Sequence, residues 1–182
     1  MNETADDFHF EQAATLRDGR SVTMRLMRPD DRQRLLDAFA KLDRQSIYTR
    51  FFSYRKQLPP GMLEQIEHID LVHFAALVVT LGAGADETAI ASAGYVASTA
   101  ADGAHEAEVS FTVEEDFQGQ GLASRLLTAL CGIARRHGIT RLTAEVLAEN
   151  APMHAVFQRS GLPLHTRQAG GVVHYVMDLP PA

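Results

Sequence analysis

The sequence is poor in cysteine, in positive charge and in long apolar runs. Its one cysteine, Cys131, excludes an intramolecular disulfide and any metal site that needs several cysteine ligands. Its 17 lysine and arginine residues stand against 23 aspartate and glutamate residues, which argues against a nonspecific binder of the nucleic-acid backbone. The longest uncharged stretch, 71–85, is too short and too interrupted by glycine to cross a bilayer as a helix. We therefore expect neither nucleic acid nor membrane as a partner.

The composition that remains fits one folded domain. Hydrophobic residues make up 46% of the 182 residues and charged residues 22%, which is enough for a core and excludes global disorder. The acidic N-terminus lacks the basic and apolar segments of a secretion signal, so a cytoplasmic location is expected. We expect residues 1–18 to form a loosely held arm and residues 19–182 to form the domain.

Hydrophobic periodicity predicts a mixture of strands and helices. The strand patterns cover 21–28, 72–81, 88–98, 106–113, 142–147 and 171–177. The helical patterns begin at Pro29 and near Arg44, surround Met62, and cover 119–137 and 151–160. This order predicts an α/β (α+β) fold in which helices cover both faces of one sheet.

A glycine turn after the strand 106–113 is the most informative local feature. Gly119, Gly121 and Ala123 leave the backbone N–H groups of the following helix open, and such a helix start can bind an anion such as a pyrophosphate. The alternative is a tight turn that binds nothing. The spacing is not the dinucleotide fingerprint, because position 124 is serine, and no Gly-Lys-Ser/Thr follows as in a Walker loop.

Three motifs in a fixed order resemble the GNAT superfamily of acyl-CoA-dependent N-acetyltransferases. The pyrophosphate motif of that superfamily, Gln/Arg-x-x-Gly-x-Gly/Ala, is matched by 118–123. Asn150 follows the next strand, and Phe157 with Gly161 matches an aromatic-x-x-x-Gly ending of the next helix. The resemblance spans 22–177 and implies a single GNAT-type domain with a mixed, mostly antiparallel sheet.

The resemblance implies acetyl-CoA as the acyl donor and no metal. The cofactor would lie where the strand around 109–113 splays from the strand 142–147, with main-chain groups of Phe111 and Val113 bonding its pantetheine and thioester. Asn150 and Phe157 would adjoin the cofactor. The pyrophosphate is expected at Gln118, Gly119, Gln120, Gly121, Leu122, Ala123 and Ser124.

Transfer to an amine requires a group that removes a proton. The amine of a free lysine has a pKa near ~10.4, so a base or a water relay must deprotonate it before it attacks. Glu108 is the candidate base, since some protein lysine acetyltransferases of this superfamily place a catalytic glutamate there, and Glu106 is the second choice. The alternative is that both are solvated carboxylates. Many members carry an acidic tyrosine where this chain has Phe157, so that acid is absent or supplied elsewhere.

The segment 44–52 resembles the Ser-x-x-x-Arg-Phe-Phe segment of Pat-type bacterial protein lysine acetyltransferases. This likeness implies a protein lysine as the acceptor and assigns Arg50 and Phe51 to the substrate site. The alternative for Arg50 is a surface role and for Phe51 core packing. A small-amine acetyltransferase acting on polyamines or aminoglycosides, and a non-catalytic sensor of acyl-CoA, are the competing functions. The superfamily also includes many homodimers, which makes a homodimer an expected assembly.

Overall fold

A single mixed sheet organises the chain in this computed structural model, which describes residues 7–53 and 55–181. Its strands are β1 (Glu11–Thr15), β2 (Ser21–Leu26), β3 (Phe74–Leu81), β4 (Thr88–Thr99), β5 (His105–Val113), β6 (Arg141–Leu147), β7 (Leu164–Ala169) and β8 (Val172–Asp178). They lie in the order β1-β2-β3-β4-β5-β6-β8-β7, and only the neighbours β5 and β6 are parallel. The predicted mixed, mostly antiparallel sheet is confirmed.

Helices lie on both faces of this sheet, as predicted. They are α1 (Arg32–Lys41), α2 (Arg44–Phe51), α3 (Pro60–Ile66), α4 (Leu122–Arg136) and α5 (Ala151–Gln158). Alternation along β3 separates the faces, because Leu77 and Val79 join a core with Leu130 of α4, whereas Val78 joins a second core with Leu63 of α3.

A buried ion pair fixes α1 above the sheet. The guanidinium of Arg25 donates to both carboxylate oxygens of Asp31 at 2.7 Å and to Glu87 at 2.9 Å. Burial alone would raise the pKa of Asp31, but hydrogen bonds from Arg25 and the Arg28 backbone hold it below its ordinary value. Since Asp31 immediately precedes α1 and Glu87 immediately precedes β4, the network sets the height of the helix over the strands.

The N-terminal segment differs from the expected loose arm. Residues 11–15 form the edge strand β1, which pairs with β2 from Glu11 opposite Arg25 to Thr15 opposite Ser21. The buried carboxylate of Asp7 accepts a hydrogen bond from Arg136 at the end of α4. The prediction is therefore corrected for residues 7–18, while residues 1–6 lie outside the described residues. The polar sequence of β1 has no hydrophobic alternation, so only its pairing with β2 reveals the strand.

Candidate active site

The parallel strands β5 and β6 separate soon after they meet. Their register contains three pairs, which end at Glu108 opposite Thr143. Beyond that pair, β5 continues to Val113 and β6 continues to Leu147 without pairing between them. The gap is a wedge, and the main-chain groups of β5 along it are available to a ligand.

The wedge opens into a groove of about 750 Å³. One wall is the end of β5 with the start of α4, and the opposite wall is the start of α5. Among the residues predicted for the cofactor, those that line the groove are Phe111, Val113, Gln118, Gly119, Gly121, Leu122, Ala123, Ser124 and Asn150. The structure thus brings together nearly the whole predicted cofactor set. Two residues are exceptions: Gln120, whose side-chain oxygen accepts a hydrogen bond from the backbone N–H of Arg17 at 2.9 Å, and Phe157, which lines a smaller recess next to the groove.

The start of α4 is shaped for an anion. Gly121 is the N-cap with φ of +82°, a left-handed conformation that L side chains rarely adopt, and it has no side chain to cap the helix. The N–H groups of the first turn therefore have no side-chain acceptor at the N-cap, and the helix dipole adds positive potential there. The amide of Gln118 donates to the Val113 carbonyl at 3.3 Å and braces the turn against β5. This arrangement suits a pyrophosphate.

The far wall and the bottom of the wedge are built by α5. The side-chain oxygen of Asn150 caps this helix by accepting from the Met153 backbone N–H at 3.2 Å. The ring of Phe157 is only 1% exposed and lies between Phe111, with ring centroids 6.0 Å apart, and Tyr175, at 4.9 Å. Phe157 therefore supports the wedge by packing and offers no proton.

A hydrogen-bonded pair behind Phe157 has no counterpart in the sequence analysis. The hydroxyl of Tyr175 donates to Nδ1 of His154 at 2.7 Å, since Nε2 of that ring faces the Leu147 carbonyl at 3.0 Å and must carry the proton. Burial raises the pKa of Tyr175. The pair joins β8 to the turn before Asn150 and so positions the wall. No local pattern predicts it, because Tyr175 reaches the site only through the pairing of β8 with β6.

Glu108 and Arg50 line a recess of about 90 Å³ at the closed end of the wedge. A guanidinium nitrogen of Arg50 donates to the Ser110 hydroxyl at 2.8 Å. Burial lowers the pKa of Arg50, and the negative charge of Glu108 opposes that shift. The two residues predicted from separate motifs therefore interact electrostatically.

Glu106 and Phe51 do not line the recess that contains Glu108 and Arg50. The carboxylate of Glu106 is 3.7 Å from a guanidinium nitrogen of Arg141, which also pairs with Asp102 at 3.0 Å, so Glu106 is engaged on the paired side of the strands. The ring of Phe51 packs edge-on against Phe39 with centroids 6.0 Å apart. Phe51 thus belongs to the apolar layer under α1 and α2.

Helix α2 contributes three groove residues that the sequence did not predict, Gln45, Ser46 and Thr49. Ser46 and Thr49 line the groove beside Arg50, as their spacing of three and four residues on a helix allows. Asp43 caps the helix by accepting from the Ser46 backbone at 2.6 Å, and its own N–H donates to Glu115 at 3.1 Å. The helix is therefore tied to the turn that precedes α4. The helical spacing was the signal that could have identified Ser46 and Thr49.

Other chemistries lack a site in the described part of the chain. Within 7–53 and 55–181, no group of three or more histidine, cysteine or acidic side chains is placed to hold a metal ion. No helix in those ranges has the length and apolar character needed to cross a membrane. Cys131 is buried, and burial raises the pKa of its thiol, so it is a packing residue as predicted.

The family model described as "Acetyltransferase (GNAT) family" matches residues 43–162, which include α2, β5, the glycine turn and α5. This chain is a member of the GNAT acetyltransferase family. Membership confirms the predicted family and the predicted class of enzyme, an acyltransferase. Membership also explains why the wedge, the open start of α4 and the cap of α5 line the same groove.

Individual relatives refine this placement. The acetyltransferase Pat of Mycolicibacterium smegmatis is 34% identical over 166 residues, which are 91% of this chain and 48% of that protein. The chain therefore spans about half the length of that relative. The crystal structure of the GNAT domain of S. lividans PAT superposes with a TM-score of 0.82 at 34% identity, covering 94% of this chain and 98% of that domain. The predicted likeness to Pat proteins is confirmed.

A more distant structure shares the fold. The structure of yncA, a putative acetyltransferase of Salmonella typhimurium with its cofactor acetyl-CoA, is 18% identical, with a TM-score of 0.67. The superposition covers 87% of this chain and 92% of that protein. At this identity the likeness is one of fold alone.

Proposed function

We propose that this GNAT domain transfers an acetyl group from acetyl-CoA to a protein lysine, with Glu108 as the base and without a metal ion. The register of β5 and β6 is the observation that carries the proposal, because pairing ends at Glu108. A donor bound in the wedge would have its thioester beside the carboxylate that stands at the point of separation. The acetyl-CoA in the structure of yncA, which shares this fold, is consistent with such a donor.

The groove offers a separate contact for each part of acetyl-CoA. The pyrophosphate would bind the open N–H groups that follow Gly121, where the helix dipole favours negative charge. The pantetheine would run along the unpaired edge of β5, exchanging hydrogen bonds with the main chain of Phe111 and Val113. Asn150 would border it on the opposite wall.

The chemistry requires one proton transfer before the new bond forms. Glu108 accepts the proton of the lysine ammonium, directly or through one water, because the neutral amine alone is nucleophilic. The amine nitrogen then attacks the carbonyl carbon of the thioester, the nitrogen loses its second proton to water, the C–S bond breaks, and CoA leaves as a thiolate. Because Phe157 has no acidic proton, water protonates that thiolate.

A cationic acceptor suits the charges of the recess. The carboxylates of Glu108 and Glu145 and the guanidinium of Arg50 line it, which leaves one negative charge in excess, and the chain carries a net charge of −6, so an ammonium group is attracted. Val96, 47% exposed, is the register partner of Glu108 and offers an apolar contact beside it. The choice of a protein lysine rests on the likeness of 44–52 to Pat proteins, with Arg50 beside the acceptor and Phe51 packed in the apolar layer behind it.

The test compares Glu108→Gln with the wild type in an assay of CoA thiol release. Glu106→Gln is the matched control, since it removes a carboxylate from the same strand and face two residues earlier. We expect Glu108→Gln to lower kcat/KM on protein acceptors by about 10²- to 10⁴-fold, the contribution typical of a general base. The control should retain nearly full activity, and both variants should bind acetyl-CoA as the wild type does.

Three outcomes would contradict parts of this proposal. Unchanged turnover in Glu108→Gln would remove the assigned base, and a loss in Glu106→Gln instead would transfer the role. Activity on polyamines or aminoglycosides without activity on proteins would favour the small-amine enzyme. Bound acetyl-CoA without transfer to any acceptor would favour the sensor.

A further inference from the structure

An apolar cavity of about 140 Å³ lies between the sheet and the helices α1, α2 and α3. Its roof comes from the helices and its floor from β3, β4 and β5. The residues that shape it include Ala38, Phe39, Phe51, Met62, Ala76 and Gly94. Engineered protein cavities of about 150 Å³ with similar linings stay dry and bind benzene, so this space has room for an apolar group of about that size.

The cavity adjoins the recess that contains Glu108. Arg50 and Ser110 line both spaces, and the hydrogen bond between them marks the boundary. Ser110 is also the residue before Phe111, whose main chain is the proposed contact of the thioester. An acyl group attached there would reach the cavity past this side-chain pair.

Position 94, on the floor of the cavity opposite Ser110, has no room for a side chain. Gly94 is the register partner of Ser110, and a Cβ on it would lie 2.6 Å from the Ala75 carbonyl oxygen. Because that contact is sterically forbidden, no side chain can occupy this point without moving β3.

We propose that this cavity binds the acyl chain of donors longer than acetyl-CoA, so that propionyl and butyryl groups are transferred as well. The inference rests on the proposed function and names its donor class. The reaction is unchanged: the amine nitrogen bonds to the acyl carbonyl carbon, the C–S bond breaks, and the proton from nitrogen is passed on by Glu108.

A hydrocarbon chain suits this lining better than a segment of acceptor polypeptide. The walls are mainly alanine, leucine, methionine and phenylalanine side chains, and polar side chains, among them Gln65, Ser110 and Glu114, are a minority of the lining. Peptide groups of an acceptor would lose their hydrogen bonds to water there, whereas methylene groups have none to lose. Two added methylenes, as in butyryl, remain within the volume of about one benzene ring.

Binding of a donor series tests the inference without any acceptor. Calorimetry would give Kd values for acetyl-, propionyl-, butyryl- and octanoyl-CoA on the wild type. Each methylene buried in the cavity should lower Kd about threefold to fourfold, making butyryl-CoA about tenfold tighter than acetyl-CoA. Octanoyl-CoA exceeds the volume and should lose this gain.

Two substitutions on α1 provide a matched pair. Ala38→Phe places a ring in the cavity and should remove the preference for butyryl-CoA while the Kd for acetyl-CoA stays unchanged. Ala40→Phe adds the same ring on the exposed side of the helix and should leave the whole series unchanged. Met62→Ala enlarges the cavity and should move the optimum to a longer chain, which keeps the test decisive where Ala38→Phe does not fold.

Several results would overturn the inference. Equal Kd values from acetyl- to butyryl-CoA in the wild type would do so, as would an equal loss of acetyl- and butyryl-CoA affinity in Ala38→Phe. A flat donor series with a raised KM for protein acceptors in Ala38→Phe would assign the cavity to an acceptor side chain. Failure of the proposed function has a different signature, namely no transfer from any donor while the Kd series follows chain length.

Discussion

The two faces of the sheet are packed to different degrees. On one face, seven of the fifteen residues of α4 are buried against the strands. On the other face, α1 and α2 bury one residue each and α3 buries two, and the cavity of about 140 Å³ remains between them and the sheet. The polar side of β5, which carries Glu108 and Ser110, faces this second layer. The tight face holds the fold, whereas the loosely packed face leaves room beside the site.

The largest expected effect on stability lies in the tight face. Leu130 of α4 is fully buried in the larger core, so Leu130→Ala removes packed methyl groups and leaves a hole that rigid neighbours cannot fill. We expect the free energy of unfolding to fall by about 2–5 kcal/mol, measured by urea denaturation. A loss below about 1 kcal/mol would mean that the two faces are not packed differently.

The matching substitution in the loose face should cost much less. Met62 of α3 is half-buried and already borders the cavity, so Met62→Ala removes few contacts. We expect a loss of about 1 kcal/mol, because the cost of a deletion depends on the packing that surrounded the removed atoms. The same urea titration measures it. A loss equal to that of Leu130→Ala would show that the second face is as tightly packed as the first.

The sequence predicts features that depend on neighbouring residues. The alternation in 106–113 identified the polar face that carries Glu108, and the glycines at 119 and 121 identified the open start of α4, because both depend on local backbone geometry. It also assigned Arg50, whose contact with Ser110 spans 60 residues, but only through a family likeness.

Features that arise from contacts distant in sequence were not predictable. The cavity exists because three short helices bridge β3, β4 and β5 at a height set partly by Arg25 with Asp31, and no sequence window contains those elements together. The pair of Tyr175 with His154 and the strand β1 likewise depend on strand pairing. In each case the role of a residue depends on a partner that is distant in the sequence, rather than on the residues next to it in the chain.

A further effect, which depends on pH, is expected at the turn where the chain crosses from one face to the other. Asp70, between α3 and β3, accepts backbone hydrogen bonds from Val72, His73 and Phe74 and pairs with the His73 ring at 2.7 Å. This turn holds Leu71, which is fully buried in the larger core with φ of +63°. Although burial opposes it, the His73 side chain and these backbone donors lower the pKa of Asp70 to about 2.

A depressed carboxylate pKa stabilises the fold only while the group is charged. The contribution of Asp70 is therefore complete above the unfolded pKa of about 3.9 and disappears as the pH falls through about 2. We expect Asp70→Asn to cost about 1 kcal/mol at pH 7, since the carboxylate is half-exposed and its charge-assisted hydrogen bonds are only partly replaced by an amide oxygen. Urea titrations between pH 7 and pH 2 should show this difference shrinking below pH 4. A difference that stays constant down to pH 2 would mean that Asp70 stabilises the crossing between the two faces without depending on its charge.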